Sequence, residues 1–548
     1  MDAKKTVQNF LRNLPYNAAA LVASGMKLLP GEIPKTVYLE LSGDYPVFTP
    51  KSILPINIPI PGQKKTETLE ELQDHLEAMA EVSALEEVII LEHGFSGGFA
   101  SAYAVRKMFL ALVASGKTVT FYADSYSNLT LYLASACSKV VTLSEGQLMT
   151  VGLAGRVLFQ ANMFKKIGVE IEYERRSEYK NAPNQLTETS LTDSHREALS
   201  SLLGSLNSHW VEAIANGRKL EPSAVQKAVD AAPLLAHEAL EHGLLTQIAY
   251  EDELTLVAKP LLEAKRFALA PAVNWSNSGE VALIGIEGGI TDGESKNNPL
   301  PIPIFGGQSA GGYSVSRAIR SATQDENIKA IVLYVDSPGG SALASEIIWR
   351  EVTRAKTIKP VVAVMGNVAA SGGYYVSCAA TRILAAPATI TGSIGVFMLH
   401  LSNAGLWEKL GFTTETIKMA QHSDFFSPDR TLTPTEKDNV NRSVAHIYQT
   451  FKTRVANGRN LSLEAVETVA KGRVWTGLQA LENGLVDELG TVFDALRVAR
   501  ELAGLPEDAP VTHMTPPAKY IAPTDLSAMT KVFDTRIWAL MPEQLEIR

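Results

Sequence analysis

The chain repeats itself, and this limits its possible folds more than any other feature of the sequence. The run Val37-Tyr38-Leu39-Glu40-Leu41 returns as Val281-Ala282-Leu283-Ile284-Gly285, and a Pro/Ile-rich loop around Pro55 to Gln63 returns around Pro299 to Gln308. Val88 to Leu91, leading into Ser96-Gly97-Gly98, returns as Ile331 to Tyr334, leading into Pro338-Gly339-Gly340. Later, Ala215-Asn216-Gly217-Arg218 matches Ala456-Asn457-Gly458-Arg459, and Ala239-Leu240-Glu241-His242-Gly243-Leu244 matches Ala480-Leu481-Glu482-Asn483-Gly484-Leu485. From Val88 onward the offset drifts only from 243 to 241 residues. A chance resemblance does not keep register over such a length, so the chain carries two copies of one domain.

Each copy alternates short β-branched runs with helical segments: Val119 to Tyr122 and Val140 to Leu143 in the first, Val361 to Val364 and Ile383 to Ala385 in the second. That pattern predicts βαβ units around largely parallel sheets, an α/β fold. The chain divides into an N-terminal extension (1–35), a first copy (36–270), a second copy (271–505) and a tail (506–548). Tyr250 to Trp275 reads as a helix followed by a connector. The tail is rich in Pro, Thr and Ala, and is expected to wrap a neighbour or end in a short helix, Leu526 to Leu540.

Length alone, 548 residues, calls for more than one core. With 46% hydrophobic residues, 20% charged residues and a net charge of -9, the chain is globular and mildly acidic, and nothing in it suggests a nucleic-acid partner. Two cysteines, Cys137 and Cys378, are too few for a disulfide framework and are expected to be buried thiols. No apolar run is long enough for a transmembrane helix, and no cleavable signal peptide is evident. Val7, Phe10, Leu11, Leu14, Ala18, Leu21 and Val22 recur at helical spacing, interrupted by Pro15. They suit either a helix docked on its own protein or one lying at a membrane surface.

The candidate chemistry lies in the second copy. Val368 to Tyr375 reads V-A-A-S-G-G-Y-Y and sets one hydroxyl, Ser371, among residues too small to cover it. Two predicted strands, Ile331 to Val335 and Val361 to Val364, end in small-residue turns, which brings backbone N–H groups and a hydroxyl to one sheet edge, as acyl transfer needs. The A-S-G-G stretch also fits a tight helix start. Aligning Tyr132 with Tyr375 puts Asn128 opposite Ser371, so the first copy has no nucleophile there.

A serine needs a base to take its proton. His400, His422 and His446 follow it, in contexts that do not tell whether any of them faces it. Lys180, in the first copy's Arg175-Arg176-Ser177-Glu178-Tyr179-Lys180-Asn181-Ala182, is by itself indistinguishable from a solvated lysine. Its counterpart in the second copy is Ser423. Each copy therefore lacks what the other has, which suggests one composite site per chain, made where the two halves meet.

D-S-P-G-G-S (336 to 341), A-A-S-G-G-Y (369 to 374), T-G-S-I-G-V (391 to 396) and S-E-Y-K (177 to 180) together resemble the signal peptide peptidase A (protease IV) family in its long, two-copy form. The resemblance runs from about Thr36 to Arg500. It implies two tandem ClpP/crotonase-like domains and a serine endopeptidase with a Ser–Lys dyad, Ser371 as nucleophile and Lys180 as general base. It also implies a homo-oligomer, a ring or bowl and most simply a tetramer, that acts on released signal peptides and other extended peptides without a cofactor or metal. Long members commonly begin with a membrane anchor. This chain shows none, so a cytoplasmic or membrane-peripheral protein is expected.

Such a mechanism asks that Lys180 be neutral near pH 7, against an ordinary value of about 10.4. Burial is expected to supply most of that, with Arg175 or Arg176 assisting and Glu178 opposing. Gly372, with Gly339 or Gly340, is the expected source of oxyanion N–H donors, and Ser393 could orient the amine or be a simple turn residue. The rival readings are a Ser-His-Asp protease using His400, a catalytically dead peptide-binding scaffold, and a crotonase-type acyl-CoA enzyme, for which no acidic residue is evident beside the glycines.

Overall fold

The computed structural model describes residues 34–48, 66–256, 258–260, 279–298, 307–520, 537–540 and 546–547. The N-terminal helical stretch, the first Pro/Ile-rich loop, most of the second and most of the proposed connector lie outside them. The chain forms two compact units: residues up to Leu153 with Leu206–Gly279, and Ala154–Ser205 with Glu280–Ile547. The division runs across the first repeat. A 52-residue segment of the first copy, the one bearing Lys180, belongs to the unit built on the second copy.

The first unit has a six-stranded, wholly parallel sheet in the order Gln247–Ile248, Lys139–Thr142, Thr118–Ala123, Glu87–Phe95, Thr36–Gly43, Lys259–Pro260. In the second unit the repeat reappears strand for strand. Glu280–Glu287, Ile328–Ser337, Val361–Ala370, Arg382–Ala385 and Glu488–Leu489 pair in parallel in the corresponding order. These are the β-branched runs of the sequence, and their side chains are almost wholly buried, as parallel strands covered on both faces must be. Each buried Val or Ile contributes ~1.5–3 kcal/mol.

The repeat also explains A-N-G-R. Both 26-residue helices, Asp193–Arg218 and Pro434–Arg459, end in it, and a Cβ on its glycine would lie 1.9 Å from the Ser135 carbonyl oxygen in one copy and 2.1 Å from that of Cys378 in the other. Cys137 and Cys378 are buried, free thiols, as expected.

A second eight-stranded sheet of this unit carries the site's rim. Its order includes Ser295–Asn298, Gly307–Gly311, Gly289–Thr291, Gly339–Ser341, Ile537–Leu540, Val396–Ser402 and Glu170–Arg176. Of the short helix offered as one reading of Leu526 to Leu540, only Ile537–Leu540 lies among the described residues, and it is a strand that pairs with strand edges on both sides. Among the described residues no helix is long and apolar enough to cross a membrane.

Candidate active site

Ser371 stands between the strand Val361–Ala370 and the helix Gly372–Ser377. Both sequence readings of A-S-G-G therefore hold, since the residue caps a helix and presents a hydroxyl. Its backbone lies at φ 56°, ψ −111°, a conformation that side chains other than glycine rarely adopt and that costs of order 1–3 kcal/mol. The surroundings fix it. Its N–H donates to the Gly392 carbonyl at 2.8 Å, and its carbonyl accepts from Tyr375 N–H at 2.8 Å.

The strand reaches this point through a bulge. Val335 pairs with Met365 and Ser337 already with Ala369, so two extra residues must be accommodated on the serine's strand. The partly buried Asp336 carboxylate accepts from Val368 N–H at 3.0 Å and holds the bulge. Burial raises the Asp336 carboxyl above its usual range, and its cross-strand neighbour Glu287 is pushed up to about 7 by burial and then by the charge of Asp336.

Lys180 is brought to Ser371 from 191 residues away. Its Nζ lies 2.7 Å from Ser371 Oγ, 3.0 Å from Ser393 Oγ and 3.1 Å from the Ser393 carbonyl oxygen. All three residues have no exposed surface. Burial alone drives the Lys180 amine well below its ordinary value of 10.5. Arg175 and Arg176 are engaged elsewhere: Arg175 donates to the Lys180 carbonyl and to Asn184, Arg176 to Glu174, and Glu178 meets Lys471.

A neutral amine has two N–H donors and one lone pair. In that form the amine donates to the Ser393 carbonyl and to Ser393 Oγ and turns its lone pair to the Ser371 hydroxyl, whereas an ammonium would donate to all three oxygens. It is burial, not the count of partners, that favours the neutral form.

The lysine is held by residues that sequence reasoning missed. Gly472, at φ +82°, lies so close that a Cβ there would be 2.6 Å from the N, Cα and Cβ of Lys180. Its N–H donates to the Ile394 carbonyl, and the Tyr179 N–H donates to the Lys471 carbonyl. Arg473 anchors the same loop through two bonds to Glu197 at 2.7 Å and stacks over Trp475 and Tyr179. A glycine between two cations, Lys471-Gly472-Arg473, was the available signal, and it is too common to single out.

Of the predicted glycines, Gly372 opens its helix, so its N–H has no intrahelical acceptor. Gly339 donates its N–H to Ser337 Oγ at 3.2 Å. Gly340 packs where a Cβ would meet the Ile290 carbonyl oxygen at 2.0 Å. The first-copy counterpart of Ser371, Asn128, serves the fold, its side chain making two hydrogen bonds to the Gly152 backbone. None of the three histidines is bonded to Ser371. His400 is buried with Nε2 2.9 Å from the Arg430 carbonyl oxygen, His422 lies against Glu436, and His446 is on an exposed face of its helix.

Residues 111–265 and again 353–506, more than half of the chain, match peptidase family S49. The chain belongs to that family. The double match agrees with two tandem copies of one α/β domain. Among S49 relatives, the chloroplastic serine protease SPPA of Arabidopsis thaliana is 32% identical over 76% of this chain and 63% of its own length. Protease 4 of Haemophilus influenzae is 30% identical over 72% of this chain and 66% of its own, and Protease 4 of Salmonella typhi is 32% identical over 71% and 65%. The chain thus spans a little under two thirds of each of these relatives.

Proposed function

We propose that this S49 chain is a serine endopeptidase in which Ser371 is the nucleophile and Lys180 the general base, acting on extended peptides such as released signal peptides. The observation that carries the reading is the buried Lys180 Nζ, 2.7 Å from Ser371 Oγ and without a carboxylate among its hydrogen-bond partners. Ser371 Oγ attacks the peptide carbonyl as its proton passes to Lys180 Nζ. The C–N bond then breaks, the ammonium returns the proton to the leaving amine, and an acyl ester remains on Ser371. Water attacks that ester with the same amine as base, and the serine is regenerated. Ser393 orients the amine. The Gly372 N–H and one from the Gly339–Gly340 turn are proposed to receive the oxyanion, each such donor typically contributing ~3 kcal/mol.

An extended peptide has a place to bind. The strands Gly339–Ser341 and Val396–Ser402 lie on either side of a position one strand wide, so the flanking strands are about 9.5 Å apart and a peptide can pair with both. We further propose a homo-oligomer, most simply a tetramer, that is cytoplasmic or peripheral at a membrane.

The test is turnover of a fluorogenic peptide across pH by the full chain and by Ser371→Ala. The parent rate should rise with pH through an apparent pKa well below about 10.4 as Lys180 loses its proton, and Ser371→Ala should be inert at unchanged oligomer size. Glu287 also titrates, at about 7, so Glu287→Gln should keep the lysine limb of the profile and alter only the other ionisation. A parent that binds the peptide but never releases product would leave the scaffold reading in its place.

A further inference from the structure

We propose that Glu287 and Asp336 are positioning residues for Ser371, a carboxyl pair that fixes the path of the nucleophile's strand while Glu287 is protonated and disturbs it once Glu287 is ionised. This rests on reading Ser371 as the nucleophile. The two residues stand directly across from each other on the adjacent parallel strands Glu280–Glu287 and Ile328–Ser337. On the far side of Asp336 lies the bulge. Val335 pairs with Met365 and Ser337 with Ala369, which leaves Asp336 alone facing Gly366-Asn367-Val368 on the strand that leads to Ser371.

A bulge deprives backbone N–H groups of their ladder partners, and Asp336 stands in for them. Its carboxylate accepts from Val368 N–H at 3.0 Å, and also from the Asn367 N–H, the Asn367 side chain and the Tyr334 hydroxyl. Gly366 packs so closely that a Cβ there would lie 2.7 Å from Asp336 Cγ and from the Tyr334 hydroxyl oxygen. The glycine turn hangs from the same place. Gly288 N–H donates to the Asp336 carbonyl at 2.9 Å, and Ser337 Oγ donates to the Gly288 carbonyl at 2.6 Å and accepts from Gly339 N–H at 3.2 Å. Just past Ser371, a Cβ on Gly373 would lie 2.6 Å from the Ser337 carbonyl oxygen. A shift of the bulge is therefore passed to the hydroxyl. The first copy supplies a comparison within the chain. There Glu87–Phe95 and Thr118–Ala123 pair without a register shift, and the repeat puts Gly43 and His93 where the second copy has Glu287 and Asp336. Carboxyl pair and bulge occur together, in the copy that carries Ser371.

The groups that act on the pair are Tyr334 from Asp336's own strand, Asn367 from the bulge and Gln308 from the strand Gly307–Gly311. None of these is a cation, so none offsets a second negative charge. Burial and the charge of Asp336 push Glu287 up to about 7. Below that value Glu287 is neutral and Asp336 keeps its donors undisturbed. Above it, a like charge faces Asp336 and drives its carboxylate toward the bulge, where Gly366 leaves no room. The strand must give, and Ser371 moves with it.

The test is the ratio of kcat for Glu287→Gln to kcat for the parent, both as full chains, in which the Lys180 ionisation common to both cancels. Glutamine keeps the neutral state at every pH. The ratio should rise about tenfold between about pH 6 and about pH 8 with KM alike in the two, a part of the ~100-fold that a misplacement of about 1 Å costs. A ratio that stays level over that range would overturn the proposal. Placement is also read without turnover, by amide exchange over residues 366–371 corrected for its intrinsic dependence on pH. Protection should fall through about 7 in the parent and stay level in Glu287→Gln. Protection that ignores pH in the parent, or that falls alike in both chains, would overturn the proposal. A parent that turns over no peptide would count against the peptidase reading alone, since the exchange measurement decides the role of the pair in either case.

Discussion

Lys180→Met is expected to lower kcat/KM by about 10⁴-fold, the usual cost of losing a general base that works as a unit with its nucleophile. The same substitution should make the fold more tolerant of acid. The Lys180 amine is depressed in the folded chain, because burial penalises its charged form, and is ordinary in the unfolded chain. Above about 10.4 both states hold it neutral, and burial costs nothing in protonation. As pH falls below that value the unfolded chain gains a proton that the folded chain refuses. Stability then declines with each step down until the folded amine protonates too. Methionine has no such linkage. Its melting temperature, minus that of the parent, should therefore be largest at the lowest pH tested and shrink as pH is raised toward about 10.4. A difference that does not vary with pH would mean that the buried amine is not held neutral. Activity and stability are opposed at this one atom, as expected where a charge is suppressed for chemistry.

Gly472→Ala is expected to lose about 10²-fold in kcat, although it touches neither the nucleophile nor any peptide. A Cβ at 2.6 Å from three atoms of Lys180 has no free volume to enter, and two of those atoms are backbone. The lysine must shift, and a displacement of about 1 Å costs about that factor. Left-handed strain adds a stability cost that could be mistaken for the cause, at ~1–2 kcal/mol. Gly484→Ala separates the two, because Gly484 sits at φ +71° with nothing within 4 Å of its Cβ position. Gly484→Ala carries the strain without the clash, so it should lose only ~1–2 kcal/mol of stability and keep turnover, whereas Gly472→Ala should lose more stability and turnover as well. Equal activity in the two would remove Gly472 from any role in positioning the amine.

What could be read in the sequence followed from the duplication. Two copies kept in register serve as an internal alignment, so the strands Ile331 to Val335 and Val361 to Val364, the unmatched Ser371 and the unmatched Lys180 stand out against their counterparts. The complementary losses pointed to the pair that now lies at 2.7 Å. Local pattern could not say that residues 154–205 leave their own repeat, since that depends on contacts such as Glu170–Arg176 with Val396–Ser402, more than 200 residues away in sequence. Nor could it rank the cations near the lysine. Arg175 and Arg176 are adjacent in sequence, yet their side chains bond elsewhere, and desolvation, which has no sequence signature, sets the amine's state. The tail illustrates the converse limit. A short helix over Leu526 to Leu540 is one reading of the tail's sequence, but Ile537–Leu540 pairs as a strand because open edges on two neighbours outweigh a weak local preference.

The hydroxyl and the amine are separated by 191 residues of chain. During synthesis the amine emerges first and the hydroxyl long afterwards, so every growing chain that has not reached Ser371 lacks the proposed nucleophile. A cut anywhere between the two positions leaves one fragment with the amine and another with the hydroxyl. If the proposed dyad is the reactive centre, splitting it between the two copies is a safeguard that a compact dyad on one loop would not provide: neither a nascent chain that stops short of Ser371 nor a separated fragment cut between the two positions carries the whole of it.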